Sequence, residues 1–347
     1  MIQTRRQLLG SALTLSALQL FPGMSFAQAR KLVFATFTGS WEEAHRDVLV
    51  PAFKRASGND MLLDAMLSVD QIAKVSAARA NPPIDVMLHD PGPALTAIGQ
   101  DLVELFPVAD SKNYKDLIPE AQDALGPSMF FQVVGLTYNP EKIKTPPTSW
   151  ADLFRPEYKG RVGMTNLNST LGTGFLVELA RMSGGSESNV DAGFKAIERL
   201  KPNLAAVAAN PGALAALFQQ GQIDISPGNF NAIQILKARG VPVEFVAPKE
   251  GAIAFKTSIH IVKNSPNKAL AAAMIDTALS PEVQKRLMQA PYLVVPTNGK
   301  VAMEGEIAKV LARDTADLKR KFIFQDWKKI NEQRPEWIAR FNREIKV

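Results

Sequence analysis

Glu250–Lys263, EGAIAFKTSIHIVK, is the stretch on which the fold turns. Gly251–Phe255 is small and apolar, Lys256 and Thr257 interrupt it, and Ser258–Val262 alternates Ser, Ile, His, Ile, Val. That pattern predicts a strand buried on at least one face. An Asn-Ser-Pro loop and an Ala-rich helix follow. We read this strand as carrying the chain back from a second lobe into a first. A cleft then lies beside it, with the polar step at Lys256–Thr257 facing that cleft. An ordinary buried strand whose Lys256 snorkels to solvent explains the same residues taken alone. The neighbouring sequence favours the first reading.

Upstream, Phe130–Tyr138 reads FFQVVGLTY, a long apolar strand and the expected first crossing between lobes. The linker Lys142–Ser149, KIKTPPTS, follows it. Before this crossing, strand and helix patterns alternate. Strands are expected at Leu32–Phe37, Met61–Met66 and Ile84–Leu88, and helices at Trp41–Ala56, Val69–Ala80 and from Ala94. After the crossing the alternation resumes. Strands are expected at Gly160–Thr165, Leu204–Ala208, Ile223–Ile225 and Val243–Val246, and helices at Leu171–Met182, Asp191–Leu200 and Pro211–Gln219. Gly228–Asn231 reads as a turn into a helix over Ala232–Ala238. Beyond the returning strand lie helices at Ala269–Leu279 and Pro281–Gln289, then a charged helical tail with Trp327 and Trp337 as packing anchors. Such alternation implies parallel sheets covered on both faces, with ligands at the carboxyl ends of the strands. In the first half those ends are Thr36–Trp41 and His89–Asp90.

The 347 residues are enough for two lobes, and the composition, 46% hydrophobic and 21% charged, is globular. There is no cysteine, which excludes disulfides, thiolate metal sites, cysteine nucleophiles and a lipid-bearing N-terminal cysteine. The first 29 residues read as a secretory leader: Arg5 and Arg6, an apolar run Leu8–Phe21, a Pro22–Gly23 break, and small residues placing cleavage after Ala27 or Ala29. The Thr-Arg-Arg-x-Leu-Leu context resembles a twin-arginine signal, with a general secretory leader as the alternative. Removing the two leader arginines lowers the formal charge from +6 to +4, and no basic run with interleaved aromatics points to nucleic acid.

Three blocks together resemble the extracellular solute-binding proteins of ABC importers, the polyamine (spermidine/putrescine) type in particular. They are Asp85–Leu95 (DVMLHDPGPAL), Thr137–Asn166 (TYNPEKIKTPPTSWADLFRPEYKGRVGMTN) and Pro248–Leu287. The resemblance implies an α/β, two-lobed periplasmic-binding-protein type II fold. Each lobe is a mostly parallel sheet flanked by helices, and two crossing strands join them. The lobes would comprise residues 30–137 with 252–300, and 138–251 with 301–347. It also implies a periplasmic monomer that captures a small-molecule solute between its lobes, hands it to an inner-membrane ABC permease, and needs no cofactor, metal or nucleic acid. Carried over by position, the candidate ligand-binding residues are Thr38, Ser40, Trp41, Asp90, Asn166, Ser169, Thr170, Asn229, Phe230, Phe255, Lys256 and Thr257.

The chain departs from the polyamine pattern. Thr257 stands where those proteins carry Asp, and Phe255 and Phe230 where they carry Trp. Asn166, Asn168, Ser169 and Thr170 replace expected acids. Losing a buried countercharge to an amine costs roughly 2–5 kcal/mol. Hydroxyls and N–H groups at the start of a helix, with Lys256 near, favour an organic anion such as a carboxylate, phosphonate or sulfonate.

Plainer roles compete at each position. Trp41 can pack on Phe37, Asp90 can cap the helix after it, Ser169 and Thr170 can be simple N-caps, Phe230 can be core, and Lys256 a solvated charge. The histidines, His45, His89 and His260, lack ligand spacing, and no adjacent tyrosine pair supports iron. A secreted enzyme on the same scaffold finds no Gly-x-Ser-x-Gly, His-Glu-x-x-His or phosphate-loop motif. A sensor that docks on a receptor differs from a transport component only in its partner.

Overall fold

The computed structural model describes residues 31–345; the leader lies outside them. Two eleven-residue strands organise everything else. Ser128–Tyr138 is buried along its whole length, and Ala252–Val262 is buried except near Lys256 and Ser258. They pair antiparallel over Ile253↔Val134 to Ser258↔Ser128, with a register shift between Thr257 and Ser258. The returning strand changes partner there: Ser258–Ile261 runs antiparallel to Val86–His89. The polar step that broke the apolar pattern is therefore the point of exchange between partners, not an interruption of the strand.

On one side of this pair lie Val86–His89, Leu32–Thr36 and Met61–Ala65, mutually parallel. On the other side Ser128–Tyr138 pairs antiparallel with Ile225–Asn229, which continues in parallel to Val162–Thr165 and Leu204–Ala208. One core gathers Leu32, Phe34, Phe53, Val86, Phe130, Ile259 and Met274. A second gathers Val134, Trp150, Phe175, Leu176, Trp327, Trp337 and Phe341. A single crossing strand thus feeds Phe130 to one core and Val134 to the other. Trp327 and Trp337, each 6% exposed, are the anchors expected of the tail.

The expected turn at Gly228–Asn231 is a correction. Ile225–Asn229 is a strand throughout, and the helix begins directly at Phe230. Pro227 keeps the extended backbone its ring permits. Gly228 lets the neighbouring strand come close, since a Cβ there would sit 2.6 Å from Thr137 Cγ2. The helix expected over Trp41–Ala56 is interrupted by a π turn at His45–Leu49.

The motif Ser149-Trp150-Ala151-Asp152 has a structural explanation. Ser149 and Asp152 form a capping box. Trp150 is fully buried and donates from Nε1 to Gly251 O at 3.1 Å, while Ser149 Oγ donates to Glu250. The linker is pinned to the start of the returning strand.

The start of the first crossing strand is held by Gln284, 2% exposed. Its Nε2 donates to Met129 O at 3.0 Å and to Thr297 Oγ1 at 3.1 Å, and its Oε1 accepts from Thr297 N and Asn298 N, both at 2.8 Å. Gln284→Ala strands Thr297 N and Asn298 N, each costing about 1–3 kcal/mol when unmet, while Met129 O keeps its bond from Thr297 Oγ1 at 3.0 Å. We expect a loss of about 3 kcal/mol, read as a fall in the urea midpoint without a change in slope.

Candidate functional site

A cavity of about 210 Å³ opens between the two groups of strands. Five helices begin at its wall. Their N-cap residues, Gly39, Asp90, Ser169, Asn210 and Asn229, all line it. Helix N-termini carry unsatisfied N–H groups and positive dipole ends, so the wall favours negative charge over much of its area. Trp41, Leu171, Pro211, Ala232, Ile235 and Phe255 supply apolar surface.

Eight of the twelve expected residues line this cavity: Thr38, Ser40, Trp41, Asp90, Ser169, Thr170, Asn229 and Phe255. Trp41 meets a different ring from the expected Phe37. It lines the cavity and stacks on Phe130, with ring centroids 4.3 Å apart and planes 5° from parallel. Asp90 begins its helix but makes no side-chain cap bond, and neither does Ser169. Both side chains are therefore released from the plainer duty assigned to them.

The other four lie outside the wall. Strand periodicity decides two of them: neighbours on a strand point to opposite faces. Phe255 faces the cavity, so Lys256 faces away and is exposed. Thr257 returns to the cavity side but is fully buried beneath it. Phe230 is core, 1% exposed and edge-on to Phe245 at 5.1 Å. Asn166 makes a local turn, its Oδ1 accepting from Asn168 N at 3.1 Å, and Asn168 reaches the wall in its place. The cation expected from Lys256 is thus absent from the site. Arg239 lies at the wall instead, engaged with Glu43 at 2.6 Å.

The centre of the site is Gln132, which the sequence reading missed. It lies opposite Phe255 in the crossing pair. Its Nε2 donates to Asp90 Oδ1 at 2.7 Å and to Thr257 Oγ1 at 2.8 Å. Its Oε1 accepts from Asn229 Nδ2 at 3.1 Å. The signal was present: one amide inside an otherwise apolar crossing strand, which burial tolerates only if the amide is bonded.

This chain of bonds fixes its own orientation. A carboxylate only accepts, so Gln132 must turn its NH2 toward Asp90 and its oxygen toward Asn229. Asn229 must then donate to Gln132, which leaves Asn229 Oδ1 buried with no partner among the described residues. Asn229 is 5% exposed and lines the cavity. The result is two acceptors on cavity-lining residues, the Asp90 carboxylate and the buried Asn229 carbonyl. Burial pushes the Asp90 carboxyl above its ordinary value, against the pull of Thr170, Gln132 and Arg334. Two acceptors in a partly desolvated site match an N–H-rich cation.

A family model, bacterial extracellular solute-binding protein, matches residues 82–333. The spermidine/putrescine-binding periplasmic protein of Escherichia coli is 30% identical over 146 residues, covering 41% of this chain and 40% of that protein, so the chain spans less than half the length of that relative. The putative 2-aminoethylphosphonate-binding periplasmic protein of Salmonella typhimurium is 26% identical over 227 residues, 64% of this chain and 65% of that protein. The gamma-aminobutyric acid-binding protein of Pseudomonas aeruginosa is 26% identical over 300 residues, 80% of this chain and 81% of that one. The crystal structure of the periplasmic binding protein AfuA from Actinobacillus pleuropneumoniae superposes with a TM-score of 0.74 at 21% identity, covering 92% of this chain and 99% of that chain. Two crossing strands, a cavity between the groups they join and a match over most of the described residues lead to one statement: this chain belongs to the bacterial extracellular solute-binding protein family.

Proposed function

We propose that this protein is the solute-capturing component of an ABC importer, exported to the periplasm, and that it binds a small organic amine carrying its own acidic group. The observation that carries the ligand class is the Asp90–Gln132–Asn229 chain, which leaves a carboxylate and a buried carbonyl, unpartnered among the described residues, on two residues of the wall, acceptors that suit an ammonium. The helix N-terminus at Asn210, outside this chain of bonds, supplies a complement for the anionic group. Trp41 and Phe255 flank the apolar body between them. The names of the relatives that bind 2-aminoethylphosphonate and gamma-aminobutyric acid support such a solute. A chamber of about 210 Å³ is below the ~300–1,000 Å³ of pockets for larger ligands and suits a short one.

In this reading residues 30–137 with 252–300 form one lobe and 138–251 with 301–347 the other. Closure about the two crossing strands buries the solute, and the closed form is delivered to a membrane permease. The cycle makes and breaks no covalent bond. A polyamine is the second reading, favoured by the second carboxylate at the wall: Glu43, once released from Arg239, gives a diamine a place for its far end.

A thermal-shift screen of the mature protein separates these readings. A micromolar ligand at millimolar concentration adds about 4 kcal/mol of stability. We expect 4-aminobutyrate or 2-aminoethylphosphonate to raise the melting temperature more than putrescine or butyrate. Stabilisation by amine-free anions alone would refute the assignment.

A further inference from the structure

Arg334 lies outside the cavity wall, on the helix Trp327–Glu344, and is 6% exposed. Among the described residues its guanidinium has no carboxylate in contact. It donates to neutral oxygens: Asn168 O at 2.8 Å, Leu167 O at 3.3 Å and Thr173 Oγ1 at 3.2 Å. Its carbon lies 5.8 Å from the centre of the Trp327 ring, and Trp327 in turn packs edge-on against Phe255. On its other side it reaches the helix that begins at Asp90: a Cβ on Gly92 would lie 3.1 Å from Arg334 Nη1. A buried cation is thus wedged between the loop before Thr170 and the start of the Asp90 helix.

We propose that Arg334 is a specificity-determining residue that sets the charge of the accepted solute, by balancing Asp90 from behind the site. With Asp90 ionised and Arg334 charged, the chamber is neutral before a solute enters. An ammonium alone then brings one uncompensated positive charge into a poorly solvated space. An ammonium that carries its own anionic group brings none. Burying an unpaired charge is costly, and burying a matched pair much less so. This deepens the ligand class proposed above and rests on it.

The charged and titratable groups around Asp90 support this role. Burial holds Arg334 below the usual arginine value, and Asp90 is the group that pulls it back. Asp90 itself is opposed in the same way, with Arg334 the one full charge among the influences on it. Glu43 and Arg239 at the wall neutralise each other. His89, next to Asp90 in the chain, and His260 behind it are kept uncharged by burial.

The first test needs no ligand. The Asp90 carboxyl is titrated by carbon-detected NMR and assigned by its disappearance in Asp90→Asn. In Arg334→Gln its midpoint is expected to rise by about one pH unit or more, since an opposite charge nearby shifts a carboxyl by that much; an unmoved midpoint overturns the proposal. The second test is the ratio of affinities for 4-aminobutyrate and 1-aminobutane, by calorimetry. Arg334→Gln is expected to lower that ratio about tenfold, and Arg334→Lys to hold it near the wild-type value. Equal weakening of both ligands would mean a packing role only and would overturn it. If Arg334→Gln does not fold, Arg334→Lys decides: its charge must keep the Asp90 midpoint low. Should the wild type bind neither probe, the ligand class falls while the titration still decides for or against Arg334.

Discussion

Asp90→Asn is expected to weaken binding of 4-aminobutyrate on the order of a hundredfold or more, and to leave the unliganded protein as stable as before or more so. The two signs have one cause. Asp90 sits where burial raises its carboxyl above the ordinary value, so the empty protein bears the cost of keeping it ionised. Asparagine has nearly the same shape and still accepts from Gln132, but carries no charge. Truncating one partner of a desolvated charge pair costs about 2–5 kcal/mol, and each 1.4 kcal/mol is about tenfold in affinity. Stability and binding therefore move apart, as they do where a site is kept strained for function. Calorimetry on the variant and on Lys256→Gln provides the comparison. Lys256 faces away from the cavity, and its replacement should leave affinity within about twofold. Equal affinities in Asp90→Asn and the wild type would remove Asp90 from the site.

The second large effect is acid instability. The histidines are almost fully buried, at 0% exposure for His45 and His89 and 1% for His260. Desolvation lowers His45 from its ordinary 6.5 to about 3 and His260 to about 4, and lowers His89 well below 6.5, helped by His260. In the unfolded chain all three take up protons near pH 6.5, while the native state refuses them until far lower pH. Their contribution to stability is complete above pH 6.5 and is lost as pH falls toward 4. One group opposes this. Burial raises Glu178 to about 7 against the pull of Arg181, so the native state holds a proton there that the unfolded chain releases, and acid favours folding through it. Asp90, also raised, acts in the same sense. Three protons less one or two leaves about one to two, which corresponds to a fall of about 1.4–2.7 kcal/mol per pH unit between pH 6 and 4.5. Urea midpoints across that range should show it. Glu178→Gln should steepen the slope by about one proton, and a flat profile would mean that the histidines titrate normally in the native state.

Much of the fold can be read from hydrophobic period alone. FFQVVGLTY and AIAFKTSIHIV are too long and too apolar to be edge strands, and a strand that must be covered on both faces has to lie at the centre of a sheet. The alternation of strand and helix before the crossing placed Thr38, Ser40, Trp41 and Asp90 at strand ends, and the family resemblance added Ser169 and Thr170; the structure brings all six to a common wall. The Ser-Trp-x-Asp step entered only as a mark of the family, and the structure shows it to be a capping box. Ile225–Asn229 was misread because Pro-Gly-Asn is ordinary turn chemistry, and here the close approach of Thr137 overrides it.

What the linear order could not supply is the direction of each polar group. Composition and spacing determined an α/β alternation and two long crossing strands, and the family resemblance supplied most of the residues near the cleft; the leader read in the first 29 residues lies outside the described ones. Only the tertiary structure decided that Phe255 faces the chamber and Lys256 the solvent, because the register of two strands distant in sequence settles which face is which. It alone brought Gln132 between Asp90 and Asn229, residues 42 and 97 positions away, and set Arg334, 161 positions beyond Thr173, behind them. Hydrogen bonds and buried charges act over a few ångströms irrespective of chain separation, so the chemistry of this site emerges only when the chain has closed on itself.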